Sequence, residues 1–178
     1  FELAAYGTSL GLRMTISPDD GRLLTPDNAK GLLESGIKRV SFSLHYPDPA
    51  KNDYFARLDG AFTAALQGLK NLREAGVSFQ INTSVTKRNV DDLPRMLALV
   101  GELKADAWHV FMLVPTGRGK ELLQDELAPQ EYESALNWLC DQQKAAPIVI
   151  QATCAPHLKR IQRQRRQEDA RTGETAAS

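Results

Sequence analysis

The side chains able to bind or react cluster where apolar runs end: Ser43, His45 and Tyr46; Asn82, Thr83, Ser84 and Thr86; Thr116 and Arg118; Cys154 and His157. Such hydroxyl, amide and thiol groups hold a polar ligand, but none forms an obvious acid–base pair. Ser43 and His45 lie two apart on one extended segment and so face the same side, as a nucleophile and its base would. No nucleophile elbow surrounds Ser43 and no carboxylate is placed to orient His45, which argues against a hydrolase. His45, His109, Cys154 and His157 are metal-ligating types, yet their spacings match no compact zinc motif. His109, Trp108, Phe111 and Cys140 sit in apolar surroundings and read as core. Cys154, in Gln151-Ala152-Thr153-Cys154-Ala155-Pro156-His157, stands at the carboxyl end of an apolar run before a Pro-led helix, which raises its functional reading.

An alternation of strand and helix must position these groups. Residues 12–16, 37–44, 77–85, 107–114 and 148–152 are rich in β-branched and aromatic types and read as strands; residues 26–35, 62–75, 93–103 and 131–143 carry helical period. Gly11, Gly36 and Gly76 each fall just past a helix and just before a strand, where a left-handed residue is favoured. Thr25-Pro26-Asp27-Asn28 starts one helix with Pro in the first turn. Asn89-Val90-Asp91-Asp92-Leu93-Pro94 starts another, with acidic residues near the positive helix end. Repeats of this kind imply a parallel sheet with its helices outside and its ligands at the carboxyl ends of the strands. The strands read as near-continuously apolar, so both faces are expected to be covered. An open doubly wound sheet and a β/α barrel both satisfy the pattern. Neither the dinucleotide nor the phosphate-loop fingerprint follows a strand, and Gly117-Arg118-Gly119-Lys120 reads as a turn.

At 178 residues, 42% hydrophobic and 25% charged, the chain has the composition of one globular domain. A net charge of zero gives no argument for nucleic acid or an acidic membrane as partner. The basic run at residues 159–166 reads as a solvated helix face. No apolar run approaches the ~18 residues of a membrane span, and two cysteines cannot make a disulfide framework, so a cytoplasmic, reducing location is expected. Phe1-Glu2-Leu3-Ala4-Ala5-Tyr6 reads as the interior of a helix already under way, and the first residue is expected to be a cut. Residues 168–178 have the composition of a disordered tail.

Five phrases carry a resemblance. They are Val40-Ser41-Phe42-Ser43-Leu44-His45, Asp59-Gly60-Ala61-Phe62, residues 79–89, residues 107–119 and Thr153-Cys154-Ala155-Pro156-His157. In these the sequence resembles the radical S-adenosylmethionine enzymes, in the branch with a C-terminal auxiliary iron–sulfur domain, and within it the heme-forming decarboxylases. The resemblance implies part of a TIM-type β/α barrel, with about five parallel strands and outer helices, over residues 1–153. Residues 154–178 would begin the auxiliary cluster region and a polar tail. It also implies S-adenosylmethionine and a [4Fe–4S] cluster held by a Cys-x-x-x-Cys-x-x-Cys loop, an auxiliary [4Fe–4S] cluster, a tetrapyrrole substrate, and a flavodoxin or ferredoxin as reductant. Oxidative decarboxylation of porphyrin propionates is the implied reaction. Heme d1 maturation, peptide modification and a non-catalytic ligand-binding module are the alternatives.

By motif position, Ser43 matches the residue that hydrogen-bonds the ribose or methionine part of the cofactor, with Asn82 and Thr83 lining the pocket beside it. Val114 and Pro115 match the strand end whose backbone meets adenine. Cys154 matches the first ligand of the auxiliary cluster. Arg57 would pair the cofactor carboxylate after a one-residue shift from the usual Arg-Gly. The usual acidic residue and glycine after Ser43 and Leu44 are here His45 and Tyr46, and the cluster loop is not in this sequence, so these residues alone are expected to be inactive.

Overall fold

The computed structural model describes residues 1–176, except the side chains of residues 118, 119, 169 and 171–176. Five strands form one sheet in the order β1 (Thr15–Ile16), β2 (Arg39–Ser43), β3 (Ser78–Val85), β4 (Ala107–Met112) and β5 (Val149–Thr153), and every neighbouring pair is parallel. The order advances without reversal. A doubly wound sheet turns back at a switch point, whereas a sheet that advances one way with crossovers of one hand keeps all its helices on one face. The sheet is an arc of a β/α barrel, as expected.

The helices are α1 (Glu2–Ser9), α2 (Pro26–Glu34), α3 (Pro49–Ala56), α4 (Ala61–Glu74), α5 (Leu93–Glu102), α6 (Pro129–Ala145) and α7 (His157–Ala176). The glycine reading holds: Gly11, Gly36 and Gly76 adopt φ of 80°, 85° and 79°. Thr25 caps α2, its hydroxyl accepting from Asn28 N–H at 3.1 Å. Sequence reasoning missed α3, which opens on the Asp48-Pro49 pair: the Asp48 carboxylate accepts from Lys51 N–H at 2.9 Å and Pro49 needs no donor there.

Only one face of the sheet is sealed. Along β3 burial alternates strictly, with Phe79, Ile81, Thr83 and Val85 buried and Ser78, Gln80, Asn82 and Ser84 half-buried. The buried set, with Val40, Phe42, Trp108, Val110, Met112 and Ile150, packs against helices in a single core that includes Leu69, Leu72, Met96, Leu136 and Leu139. The other, concave face carries Ser41, Ser43, Gln80, Asn82, His109 and Phe111. The expectation of two covered faces is therefore corrected: on β2 and β3 every second residue is polar because that face turns toward the barrel interior.

Two further expectations change. Helix α7 runs through Ala176, where a disordered tail was expected. Leu158 and Ile161 join the common core, and Arg160 and Arg165 pair with Glu133 and Asp141 of α6, so a docked first half propagates a polar second half. The first strand, expected over residues 12–16, is two residues long, Thr15–Ile16, at one edge of the sheet.

Two contacts hold α4 against the mouth. A Cβ on Gly21 would lie 2.4 Å from Ala64 O, and one on Gly68 would lie 2.6 Å from Gly21 O, so the turn at Gly21–Leu23 and α4 touch backbone to backbone. The Asp53 carboxylate accepts from Gly60 N–H and Phe62 N–H, each at 2.7 Å, at the start of α4. That explains the Asp59-Gly60-Ala61-Phe62 phrase as a helix start capped from α3. Asp53→Ala is expected to cost about 2 kcal/mol in chemical denaturation, because two helix-terminal donors lose a charged acceptor.

Candidate functional site

The carboxyl ends of the five strands form a mouth, and a network of hydrogen bonds surrounds His45 there. After β2 stops at Ser43, Leu44 N–H still donates to Asn82 O at 3.0 Å. The ladder is then continued by side chains. His45 Nδ1 accepts from Ser84 N–H at 3.1 Å, standing where a strand carbonyl would. His45 N–H donates to Asn52 Oδ1 at 3.1 Å, and His45 O accepts from Asn89 Nδ2 at 3.0 Å. Asn89 also donates to Ser84 O at 2.9 Å and accepts from Thr86 N–H at 2.7 Å. Asn52 and Asn89 are both buried; Asn89 pins the β2 and β3 ends together, and Asn52 ties the β2 end to α3.

This geometry settles the state of His45. The nitrogen that accepts a backbone N–H carries no proton, so the neutral ring holds its proton on Nε2. Burial pulls the imidazole down to about 4, and the ring lies 4.4 Å, centroid to centroid, from Phe55. A ring so weakly basic, with its free nitrogen already protonated, is no general base for Ser43. The hydrolase alternative therefore lacks its base.

Two cavities open on the mouth. One, of about 440 Å³, is lined by Asp19, Ser43, His45, Asn52 and Phe55 among others. The second, of about 700 Å³, is lined by Val114, Pro115, Tyr132, Cys154, His157 and Arg160 among others. Ser43 and Asn82 are register partners on the concave face. Asn82 Oδ1 accepts from Gln80 Nε2 at 3.0 Å, and the same Nε2 lies 3.1 Å from His109 Nδ1. His109 is thus half-buried and partnered, held below the usual histidine range first by burial and then by Arg39.

The sequence-derived residues divide accordingly. Ser43 lines the first cavity, Asn82 neighbours it on the sheet, and Val114, Pro115 and Cys154 share the second. Thr83 does not face the mouth. It is fully buried on the helix side, its hydroxyl donating to Leu44 O at 2.7 Å and accepting from Trp108 Nε1 at 2.9 Å. Arg57 does not line either cavity: its side chain is 82% exposed and pairs with Glu121 at 3.2 Å. The side chain of Arg118 lies outside the described residues. Asn52 was missed. Alternation would have separated Thr83 from Asn82, and the Asp48-Pro49 start would have pointed to Asn52 one turn into α3.

Cys154 is exposed and adopts φ of 57°, a left-handed conformation that costs a non-glycine residue energy. Its carbonyl accepts from the Tyr132 hydroxyl at 3.1 Å, and Tyr132 meets His157 edge-on. Cys140 is buried in α6. Among the described residues no group of three or more His, Cys, Asp or Glu side chains could hold a metal ion. An iron–sulfur cluster with one open iron needs three thiolates, and the donors here do not fit one. Among the described residues no helix is long and apolar enough to cross a membrane.

No family model matches the chain. It is 44% identical over 169 residues to the AdoMet-dependent heme synthase of Nitratidesulfovibrio vulgaris, covering 95% of this chain and 46% of that protein. It is 35% identical over 140 residues to the Fe-coproporphyrin III synthase of Methanosarcina barkeri, covering 79% of this chain and 35% of that one. Among solved structures, its fold matches Streptococcus suis SuiB bound to the precursor peptide SuiA (TM-score 0.68, 17% identity, 85% of this chain, 34% of SuiB). It also matches Escherichia coli coproporphyrinogen III oxidase, a radical SAM enzyme (TM-score 0.59, 20% identity, 74% of this chain, 32% of the oxidase). The chain spans less than half the length of these curated relatives. With its parallel half barrel and its similarity to heme synthases along nearly its whole length, the chain belongs to the radical S-adenosylmethionine enzymes.

Proposed function

We propose that this chain forms the S-adenosylmethionine-facing wall of an enzyme that removes carboxyl groups from the propionate side chains of an iron porphyrin. The observation that carries the reading is the 44% identity to a heme synthase over 169 residues, which takes in all five strands and the mouth they build. Ser43 and Asn82 offer a hydroxyl and an amide side by side, suited to ribose or amino-acid oxygens. The exposed Val114 with Pro115 offers an apolar step at a strand end, suited to a flat base. Thr83, locked between Leu44 and Trp108, holds the two strand ends in register without touching ligand. Arg57 is left out of the ligand set.

Reduced and cleaved when bound, S-adenosylmethionine supplies a radical able to take hydrogen from an unactivated carbon, which no side-chain base can do. The residues here bind and orient the nucleoside and shield it from water. The thiolates for a [4Fe–4S] cluster would come from outside these 178 residues. Cys154 is read as one ligand of an auxiliary cluster and as the point where the barrel hands over to the region serving it. A flavodoxin or ferredoxin is the proposed reductant. The two free cysteines and the mixed surface charge support a reducing, cytoplasmic setting without nucleic acid.

The test is an anaerobic assay of protein expressed from its complete reading frame, reconstituted with iron and sulfide, reduced, and given S-adenosylmethionine and Fe-coproporphyrin III. Mass spectrometry should show 5′-deoxyadenosine together with a porphyrin that has lost carboxyl groups. Nucleoside formed without porphyrin turnover would reject the substrate and turn attention to a heme d1 precursor or a peptide. Failure to form the nucleoside would reject the reading altogether.

A further inference from the structure

The first cavity contains two donors that the protein itself does not use. Asn52 is 4% exposed; its Oδ1 is taken by His45 N–H, while its amide nitrogen has no partner among the described residues. His45 uses Nδ1 for Ser84 N–H, so its Nε2–H is likewise without a partner among the described residues. No buried side-chain nitrogen or oxygen among the described residues is both sealed from solvent and unpaired, so both donors reach open space, and both residues line the same cavity. Each is held in orientation by its other polar atom bonding to the main chain, and the His45 ring is packed against Phe55 as well. Two such donors with no acceptor of their own are prepared for oxygen on a bound molecule. The Ser43 hydroxyl and the Asp19 carboxylate line the same space and supply accepting groups, so the fitting ligand bears an oxygen acceptor beside a hydroxyl or ammonium donor.

We infer that His45 Nε2–H and the Asn52 amide form a neutral two-donor subsite for an oxygen acceptor of the molecule bound beside Ser43. This rests on the reading of that cavity as part of the S-adenosylmethionine site. Two oxygens of such a molecule share the required chemistry, the amino-acid carboxylate and the ribose hydroxyls.

Two substitutions separate the ligand-facing atoms from the structural ones. Asn52→Asp keeps an acceptor for His45 N–H but replaces the outward donor with an acceptor. His45→Asn keeps an oxygen near the position of Nδ1 and removes the outward N–H. In the holoenzyme, calorimetric titration with S-adenosylhomocysteine should show each variant weakened about tenfold or more, with Tm within a few degrees of wild type. Titration with 5′-methylthioadenosine, which lacks the carboxylate, locates the oxygen: an equal loss places it on the ribose, and no loss places it on the carboxylate. Both variants binding S-adenosylhomocysteine within twofold of wild type would overturn the subsite while leaving the cofactor reading intact. Wild type failing to bind either probe would remove both. Should the variants not fold, nitrogen-15 spectra of the wild-type holoenzyme's histidines, three of which lie in these 178 residues, decide instead. Saturating S-adenosylhomocysteine should shift the His45 Nε2–H resonance, and an unmoved resonance would overturn the subsite.

Discussion

Asn89→Ala is expected to cost about 4 kcal/mol of folding stability, enough to leave a domain of ordinary stability marginal. Asn89 is 1% exposed and makes three short bonds to main-chain groups: to Thr86 N–H, Ser84 O and His45 O. Alanine removes all three and leaves a buried N–H and two carbonyls unpaired, each costing about 1–3 kcal/mol if water cannot reach it. Urea denaturation is the direct check. A loss under 1 kcal/mol would mean that water enters the β3 end and that the pinning of the two strand ends is weaker than the distances imply. Because the same bonds place His45, the variant should also lose affinity for whatever binds beside Ser43.

Stability is expected to fall by about 3 kcal/mol as pH drops from 6.5 toward 4, through His45 alone. Burial lowers the folded-state value from 6.5 to about 4, so within that window the unfolded ring binds a proton that the folded ring does not. The unfolded state therefore gains protons on acidification, and stability is lost as pH falls through the window and levels off below it. Carboxylates titrate in the same range, so the decisive quantity is the difference from His45→Asn. The variant's stability curve should be flatter by about one proton between pH 4 and 6.5. Parallel curves would show that His45 is protonated in the fold, with its Nδ1 contact to Ser84 lost.

The parts of this fold that could be read in advance are those where local chemistry and tertiary role coincide. Strands β2 to β5 and helices α2, α4, α5 and α6 lie within a few residues of their expected positions, because buried strands concentrate β-branched and aromatic residues and because glycine marks the junctions at Gly36 and Gly76. Helix α3 escaped because Ala50, Tyr54, Phe55 and Ala56 form no apolar stripe on eight residues; only its Asp48-Pro49 start betrays it. The second half of α7 escaped because nothing in its composition favours packing, and its helicity is inherited from Leu158 and Ile161.

The site divides along the same line. Ser43, Val114, Pro115 and Cys154 could be placed at or just past strand ends by position, and they line the two cavities of the mouth, whereas Asn82 sits within β3 beside Ser43. Adjacent Thr83 was grouped with Asn82 by polarity, although a period of two puts it with Ile81 and Val85 on the helix face. Arg57 depended on a side-chain direction, and its left-handed backbone and pairing with Glu121 turn it outward. Asn52 and the tautomer of His45 depend on contacts between residues 45, 52, 84 and 89, which no linear pattern displays.

A crystal structure of the protein with S-adenosylhomocysteine tests the central claim most directly. The account predicts the nucleoside across the concave mouth, with oxygens within hydrogen-bonding distance of Ser43, His45 or Asn52, and its base against Val114 and Pro115. Ligand seated elsewhere, with no contact to Ser43, Asn82 or the end of β4, would contradict the assignment of this mouth as the cofactor wall.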